Sequence, residues 1–403
     1  MVRWMTSVSL SLAIALVNVS CAQEANPEQS TPPVRPPVVT AIDTAMQRFV
    51  DQGQISGAVT LVGHKGKIAH LSAVGVSDID SERKMQPFSL FSIASMTKPV
   101  TATALMILQD EGKLSVNDKV SKFIPAFKDV KLKNGQVPRR EITIRDAITH
   151  TSGLAGDQVF AGSLEEAVDD LAKRPLAFEP GTKWQYSPGL NVVGRIVEIV
   201  SKQPLQEFLK NRVFEPLQMN STTFFPDKKQ QRLIAKIYQP GEDGRSLVQA
   251  ANRISDPADV KAPNPSGGLF SNARDMFRFY QMALNHGQFR KTRIVSKDAV
   301  QEMTSPQTAE LKTGFTPGNC WGLGWCVVRE PQGVSGMLSP GTFGHGGAFG
   351  TQGWVDPETK TIYVLMIQRT KMGNSDASEI RKVFQQTAAD ALGLSAQKKP
   401  TSR

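Results

Sequence analysis

The sequence predicts an α/β (α+β) protein: one antiparallel sheet built from both ends of the chain and flanked by helices, with a mostly helical region inserted between. Three observations predict it. Strand-like segments are confined to the two ends of the folded part, and helical periodicity fills the middle. The composition, 40% hydrophobic and 21% charged over 403 residues, is that of a chain with a packed core. That length suffices for one large domain or two ordinary ones. The expected organisation is a signal peptide over 1–22, a Pro-rich linker over 23–39, one domain over 40–395 and a polar, disordered tail over 396–403. Within the domain the sheet is expected from about 40–90 and 320–395, and the helical region from about 91–319.

Taken in order, Arg3 precedes an apolar stretch from Ser7 to Val17, too short to span a bilayer but of the length of a signal-peptide core. Ser20-Cys21-Ala22 places small residues for cleavage after Ala22, and Cys21 leaves lipoprotein anchoring as the alternative, although Asn18 stands where an aliphatic residue is wanted. The protein is therefore expected to be exported, periplasmic or secreted. No later stretch approaches the ~20 apolar residues of a transmembrane helix. Gln23–Val39 is rich in proline and reads as an extended tether. Thr40–Val50 has helical spacing. Ala58–Gly63 and Ile68–Val74 around Lys65-Gly66 read as a hairpin.

Helices are expected over Met96–Asp110, Ile144–Thr149, Leu164–Ala172, Leu190–Val200, Leu205–Val213 and Ala273–Leu284. Strands are expected over Trp321–Val328, Gly350–Val355 and Thr361–Gln368, with a turn at Asp356–Thr359. Asn374 or Ser375 is expected to cap a closing helix. Cys320 and Cys326 fall in one expected strand, on one face but too far apart along it for a disulfide.

The net charge of +10 comes without a dense Lys/Arg run interleaved with aromatics, so nucleic acid is not an expected partner. Five histidines occur and no two lie four apart, and no Cys/His spacing suggests zinc. Neither a metal nor an organic cofactor is expected. No G-x-S-x-G elbow, phosphate-binding loop or H-E-x-x-H motif is present.

Ser95-Met96-Thr97-Lys98 is an S-x-x-K element. Three residues along a helix bring the Ser95 hydroxyl and the Lys98 amine to one face. A serine is a poor nucleophile until a base takes its proton, and a lysine is a base only if burial or a positive field lowers its pKa. A second match, Ser81-Glu82-Arg83-Lys84, sits in a charged stretch and reads as a solvated turn. Ser95 instead precedes Val100, Ala104, Leu105 and Leu108, which should bury a helix. On local pattern alone, Ser95 could equally be a plain N-cap.

Five segments change that balance: Pro87–Pro125 around S-M-T-K, Ile142–Leu154 (ITIRDAITHTSGL), Pro180–Glu198 (PGTKWQYSPGLNVVGRIVE), Ser266–Leu284 (SGGLFSNARDMFRFYQMAL) and Phe343–Pro357 (FGHGGAFGTQGWVDP). Together and in this order they resemble the class C β-lactamase and penicillin-binding-protein family of serine hydrolases, across about Thr40–Leu394. The resemblance implies a serine β-lactamase/DD-peptidase-like fold. It implies Ser95 as nucleophile, with Lys98 and Tyr186 as proton-transfer partners in an order the sequence leaves open. It further implies the backbone N–H groups of Ser95 and Ala348 as oxyanion hole, and His345, Gly346, Gly347 and Ser187 facing substrate.

Two departures from the family pattern bear on substrate. Tyr186-Ser187-Pro188 lacks the asparagine of the family's Y-x-N, and His345-Gly346-Gly347 replaces K-T-G, whose lysine binds a substrate carboxylate. A histidine is mostly neutral at pH 7 and holds an anion less firmly. The expected activity is therefore a carboxylesterase acting through an acyl-serine, ahead of a D-stereospecific peptidase or amidase and of a β-lactamase. The expected partner is a small ester, amide or D-peptide, and the resemblance leaves room for cell-wall association. A non-catalytic penicillin-binding sensor is the rival from another class. His150 is expected to be structural, and Cys326 unreactive in a hydrophobic strand.

Overall fold

The computed structural model describes residues 37–254, 256–308 and 310–394. The expected signal peptide, Cys21, nearly all of the linker and the polar tail lie outside the described residues.

The expected architecture is found: a large antiparallel sheet flanked by helices. Its strands are β1 (Gly57–His64), β2 (Lys67–Asp78), β3 (Arg83–Lys84), β4 (Asn319–Trp321), β5 (Cys326–Val328), β6 (Phe343–Gly346), β7 (Gln352–Asp356) and β8 (Thr361–Met366). They lie in the order β4-β5-β6-β7-β8-β1-β2-β3, every pair antiparallel. The junction between the chain's two ends is β1 on β8, running from Val59 opposite Met366 to His64 opposite Thr361.

These central strands are mostly apolar on both faces because both faces are covered. Ile362, Val364 and Met366 of β8 join the core on one side, and Tyr363 and Leu365 join the core on the other. Helices α1 (Pro37–Asp51) and α5 (Glu379–Ala391) pack together on the second side. α4 (Ala273–Leu284) covers β1, β7 and β8 on the first. Between them in sequence come α2 (Thr97–Asp110) and α3 (Gly189–Ser201), which pack on each other in the helical region. α2 is buried on every side from Thr97 to Leu108. Its interior hydroxyls are satisfied, Thr101 donating to the distant Pro265 carbonyl at 2.8 Å and Thr103 to the Pro99 carbonyl one turn back at 2.9 Å.

Several element boundaries differ from expectation. α1 starts at Pro37 rather than Thr40, since proline fits a first helical turn whose N–H has no acceptor anyway. The strand expected over Trp321–Val328 is a hairpin: Gly324, at φ +74°, turns the chain so that Trp321 faces Cys326 on the neighbouring strand. Cys320 and Cys326 consequently enter the cores on opposite sides of the sheet, and both are free. Asn374 caps a separate short 3-10 turn, Ser375–Ala377, whereas α5 begins four residues later behind Ser378. The helix expected over Leu205–Val213 changes from α to π winding at Lys210.

Candidate active site

Ser95 lies in a 3-10 turn, Ala94–Met96, that runs directly into α2. Ala94 is held at φ +44°, a conformation costly for a residue with a Cβ, and such strain concentrates where a side chain must be aimed. One turn on, Lys98 is fully buried. Its Nζ donates to Ser95 Oγ at 3.0 Å, to Gln158 Oε1 at 2.8 Å and to the Ser266 carbonyl at 2.6 Å. Burial pushes the Lys98 amine well below its ordinary value, against the opposing pull of Asp376.

Tyr186, carried by the loop before α3, hydrogen-bonds Ser95 through its hydroxyl, and its ring centroid lies 4.6 Å from Lys98 Nζ. Burial raises the phenol's pKa far above its usual value, so Tyr186 rests in the protonated form. Hydroxyl, amine and phenol thus meet as the S-x-x-K spacing and the Tyr186 segment lead one to expect.

They face a cavity of about 370 Å³ lined by Ser95, Tyr186, Phe315, Gly346–Ala348 and Lys371–Asp376, with His345 in its wall. β6 brings the His345-Gly346-Gly347 segment close to the nucleophile turn. A Cβ on Gly347 would lie 2.5 Å from the Ile93 carbonyl, so only glycine allows this approach. Gly347→Ala is expected to push the strand from Ser95 and lower ester kcat/KM by about 100-fold, the loss that an ångström of misplacement brings. Parallel circular dichroism should show the fold retained.

His345 is 2% exposed. Its Nδ1 donates to the Gly346 carbonyl at 2.6 Å, which leaves Nε2 unprotonated and without a protein partner. Burial first, and the nearby Lys98 second, depress its pKa to about 3. Position 345 therefore presents a neutral acceptor at working pH.

Ser187, expected to face substrate, instead turns inward. Its N–H and hydroxyl lie 3.2 Å from Nδ1 of buried His150, because the Pro188-Gly189 turn that starts α3 directs the side chain into the protein. His150 in turn packs its ring 4.5 Å from that of Tyr186 and 5.0 Å from Trp321. His150 therefore backs the phenol, a structural role of the kind expected for it.

Other members of the site carry no local motif. Gln158 supplies Lys98 with a side-chain amide oxygen, and its main-chain carbonyl accepts from Asn191 Nδ2 at 3.0 Å. Ser266 opens a segment singled out only for its family likeness; its carbonyl holds Lys98 while its hydroxyl donates to Asn191 Oδ1 at 2.6 Å. Phe315 and Asp376 come from loops 61 residues apart in sequence that meet at the cavity rim.

A serine with a lysine one helical turn away and a tyrosine hydrogen-bonded to it, in a cleft between an antiparallel sheet and a helical region, fits a serine hydrolase. The chain belongs to the Beta-lactamase family, whose model matches residues 42–388. It is 33% identical over 368 residues to Protein Rv1367c of Mycobacterium tuberculosis, covering 83% of this chain and 91% of that protein. Esterase EstB of Burkholderia gladioli is 27% identical over 364 residues, covering 82% of this chain and 90% of the esterase. Among solved structures, EstCE1, described as a hydrolase with promiscuous acyltransferase activity, shares the fold with a TM-score of 0.75 at 22% identity, over 88% of this chain and 98% of that one.

Proposed function

We propose that this β-lactamase-family serine hydrolase is an exported carboxylesterase in which Ser95 is acylated, Lys98 is the base and Tyr186 is the proton relay. The arrangement around Lys98 Nζ carries this reading. Of its three partners, the Gln158 and Ser266 oxygens can only accept, and Ser95 alone has a proton to give. When Lys98 loses a proton, its two remaining N–H groups stay on the two carbonyls and its lone pair faces the Ser95 hydroxyl.

Lys98 then takes the Ser95 proton as Oγ attacks the ester carbonyl. The N–H groups of Ser95 and Ala348 are the proposed holders of the oxyanion. The protonated Tyr186 passes its proton to the departing alkoxide and recovers one from Lys98. Water enters along the same relay in reverse and releases the acid.

The neutral His345 favours esters over D-peptides and β-lactams, whose carboxylate finds no cation there. A chromogenic ester, a D-Ala-D-Ala peptide and a chromogenic cephalosporin, assayed beside Ser95→Ala, test this. Ester turnover should dominate, with an acyl adduct on the Ser95 peptide by mass spectrometry. Ester turnover no faster than that of Ser95→Ala would sink the proposal, and a labelled but non-releasing protein would point to a sensor.

Tyr186→Phe is expected to lower ester kcat by about 10²–10⁴-fold, the range for removal of a general acid or base. Export rests on the N-terminal pattern, and the N-terminus of the mature protein, at Gln23 or at a lipidated Cys21, tests it.

A further inference from the structure

We infer that Asp376 sets the charge selectivity of this site, favouring substrates with a cationic group beside the scissile bond over those bearing a carboxylate. The inference rests on the esterase reading for its choice of substrates.

Asp376 is not a surface acid that happens to point inward. It sits in the Ser375–Ala377 turn, where its N–H donates to Asn374 Oδ1 at 3.0 Å and its carbonyl accepts from Arg381 Nη1 at 2.6 Å. Its Oδ1 accepts from Gln352 Nε2 at 3.2 Å. The orientation of that amide is fixed from behind, because Trp354 Nε1 donates to Gln352 Oε1 at 2.9 Å and so leaves the NH₂ end facing the carboxylate. Gln352, Trp354 and Arg381 are all buried. The main chain of Asp376 is thus held by Asn374 and Arg381, and its carboxylate by Gln352, at the cavity wall.

Its place in the wall is made by the strand beside it. A Cβ on Gly346 would overlap Asp376 Oδ1, so the carboxylate fills the volume a side chain at the middle position of His345-Gly346-Gly347 would take. A substrate group reaching that end of the cavity meets an acid. The buried Arg381 guanidinium behind Asp376 opposes its charge from outside the cavity, and countercharge within the cavity is scarce. Lys98 is buried and its donors are committed to Ser95, Gln158 and Ser266, and His345 is neutral. Lys371, the other charged side chain lining the cavity, is exposed, where water and salt screen it. A fixed carboxylate in a partly dry pocket discriminates by charge far more than the same group on open surface.

The test uses three thioesters of one acyl group and similar size: butyrylthiocholine, its uncharged 3,3-dimethylbutyl isostere, and the thioester of 3-mercaptopropionate. They are assayed by thiol release at pH 8 and again at pH 9, because burial raises the pKa of the Asp376 carboxyl against the opposing pull of Arg381 and Lys98. The cation-over-anion ratio of kcat/KM is the readout, because a general loss of activity cancels in it. Wild type should prefer the cation, and Asp376→Asn should lower the ratio by about tenfold or more. The same ratio is measured for the rate at which Ser95 is labelled by a matched pair of phosphonate probes carrying an ammonium or a carboxylate. Thioester turnover with both ratios unchanged in Asp376→Asn overturns this proposal and leaves the esterase reading standing. Absent turnover with a labelling ratio that still collapses overturns the esterase reading and sustains this one. Absent turnover with an unchanged labelling ratio overturns both.

Discussion

Lys98→Met should lower ester kcat/KM by about 10³-fold or more, because it removes the proposed base while keeping the length and packing of the side chain. The same substitution should change how stability responds to pH, and the sign follows from burial. The folded protein holds the Lys98 amine well below its ordinary value of 10.5. Between that lowered value and 10.5 the unfolded chain binds more protons than the folded one, so wild-type stability rises with pH, by up to about 1.4 kcal/mol per pH unit from this group. Below the lowered value both states are protonated and the full penalty of a buried ammonium is present. The methionine variant carries no such penalty. Its stability relative to wild type should therefore be greatest at low pH and decline steadily towards pH 10. Urea denaturation of both proteins across that range reads the difference directly, and a difference independent of pH would show that the amine is not perturbed. The acid limb of the wild-type pH–rate profile should fall in the same interval, since His345, with its pKa near 3, does not titrate there.

Arg381→Ala should destabilise the fold by about 3–5 kcal/mol, the range found when one partner of a buried charged group is removed. Arg381 is fully buried on α5, and its guanidinium stacks 3.9 Å from the ring centroid of Trp354. It donates to the Asp376 carbonyl at 2.6 Å and to Gln385 Oε1 at 3.0 Å. Burial lowers its pKa to about 10, which still leaves it charged at neutral pH. Truncation removes the stem that packs on Trp354, leaves two buried acceptors unpaired, and takes away a cation facing Asp376. Arg381→Met, which keeps most of the stem, should recover part of the loss. Denaturant midpoints of the three proteins separate the packing share from the polar share. Equal midpoints for alanine and wild type would mean that the buried cation contributes nothing to the fold.

What could be read in the sequence follows from how local each signal is. α4 runs Ala273–Leu284 as its apolar spacing predicts, and Ser95 meets Lys98 because three residues of helix leave them no other choice. Tyr186 required the family likeness, since nothing in its own neighbourhood distinguishes it from a turn residue. Gln158, Ser266 and Asp376 were not legible at all. Gln158 and the Ser266 carbonyl act on Lys98 from 60 and 168 residues away, and the Asp376 carboxylate is held by Gln352 from a different element of the fold. A main-chain oxygen leaves no mark in composition or spacing. The strand expected over Trp321–Val328 failed for a related reason. An apolar run with two glycines has the same pattern whether it continues straight or folds into a hairpin, and only Gly324 at positive φ decides. Ser187 failed because the Pro188-Gly189 turn, which looks harmless in sequence, sets its direction.

The seam between β1 and β8 has a consequence for how the molecule is made. β1 is among the first strands synthesised, and its partner Thr361–Met366 is among the last. Until that late segment emerges, β1 has one bare edge of unpaired amides and carbonyls, and an apolar edge of this kind invites strands from other chains. The sheet stays open on that edge until Thr361–Met366 has been made, and a premature stop upstream of Thr361 is expected to yield a sticky fragment and no smaller enzyme.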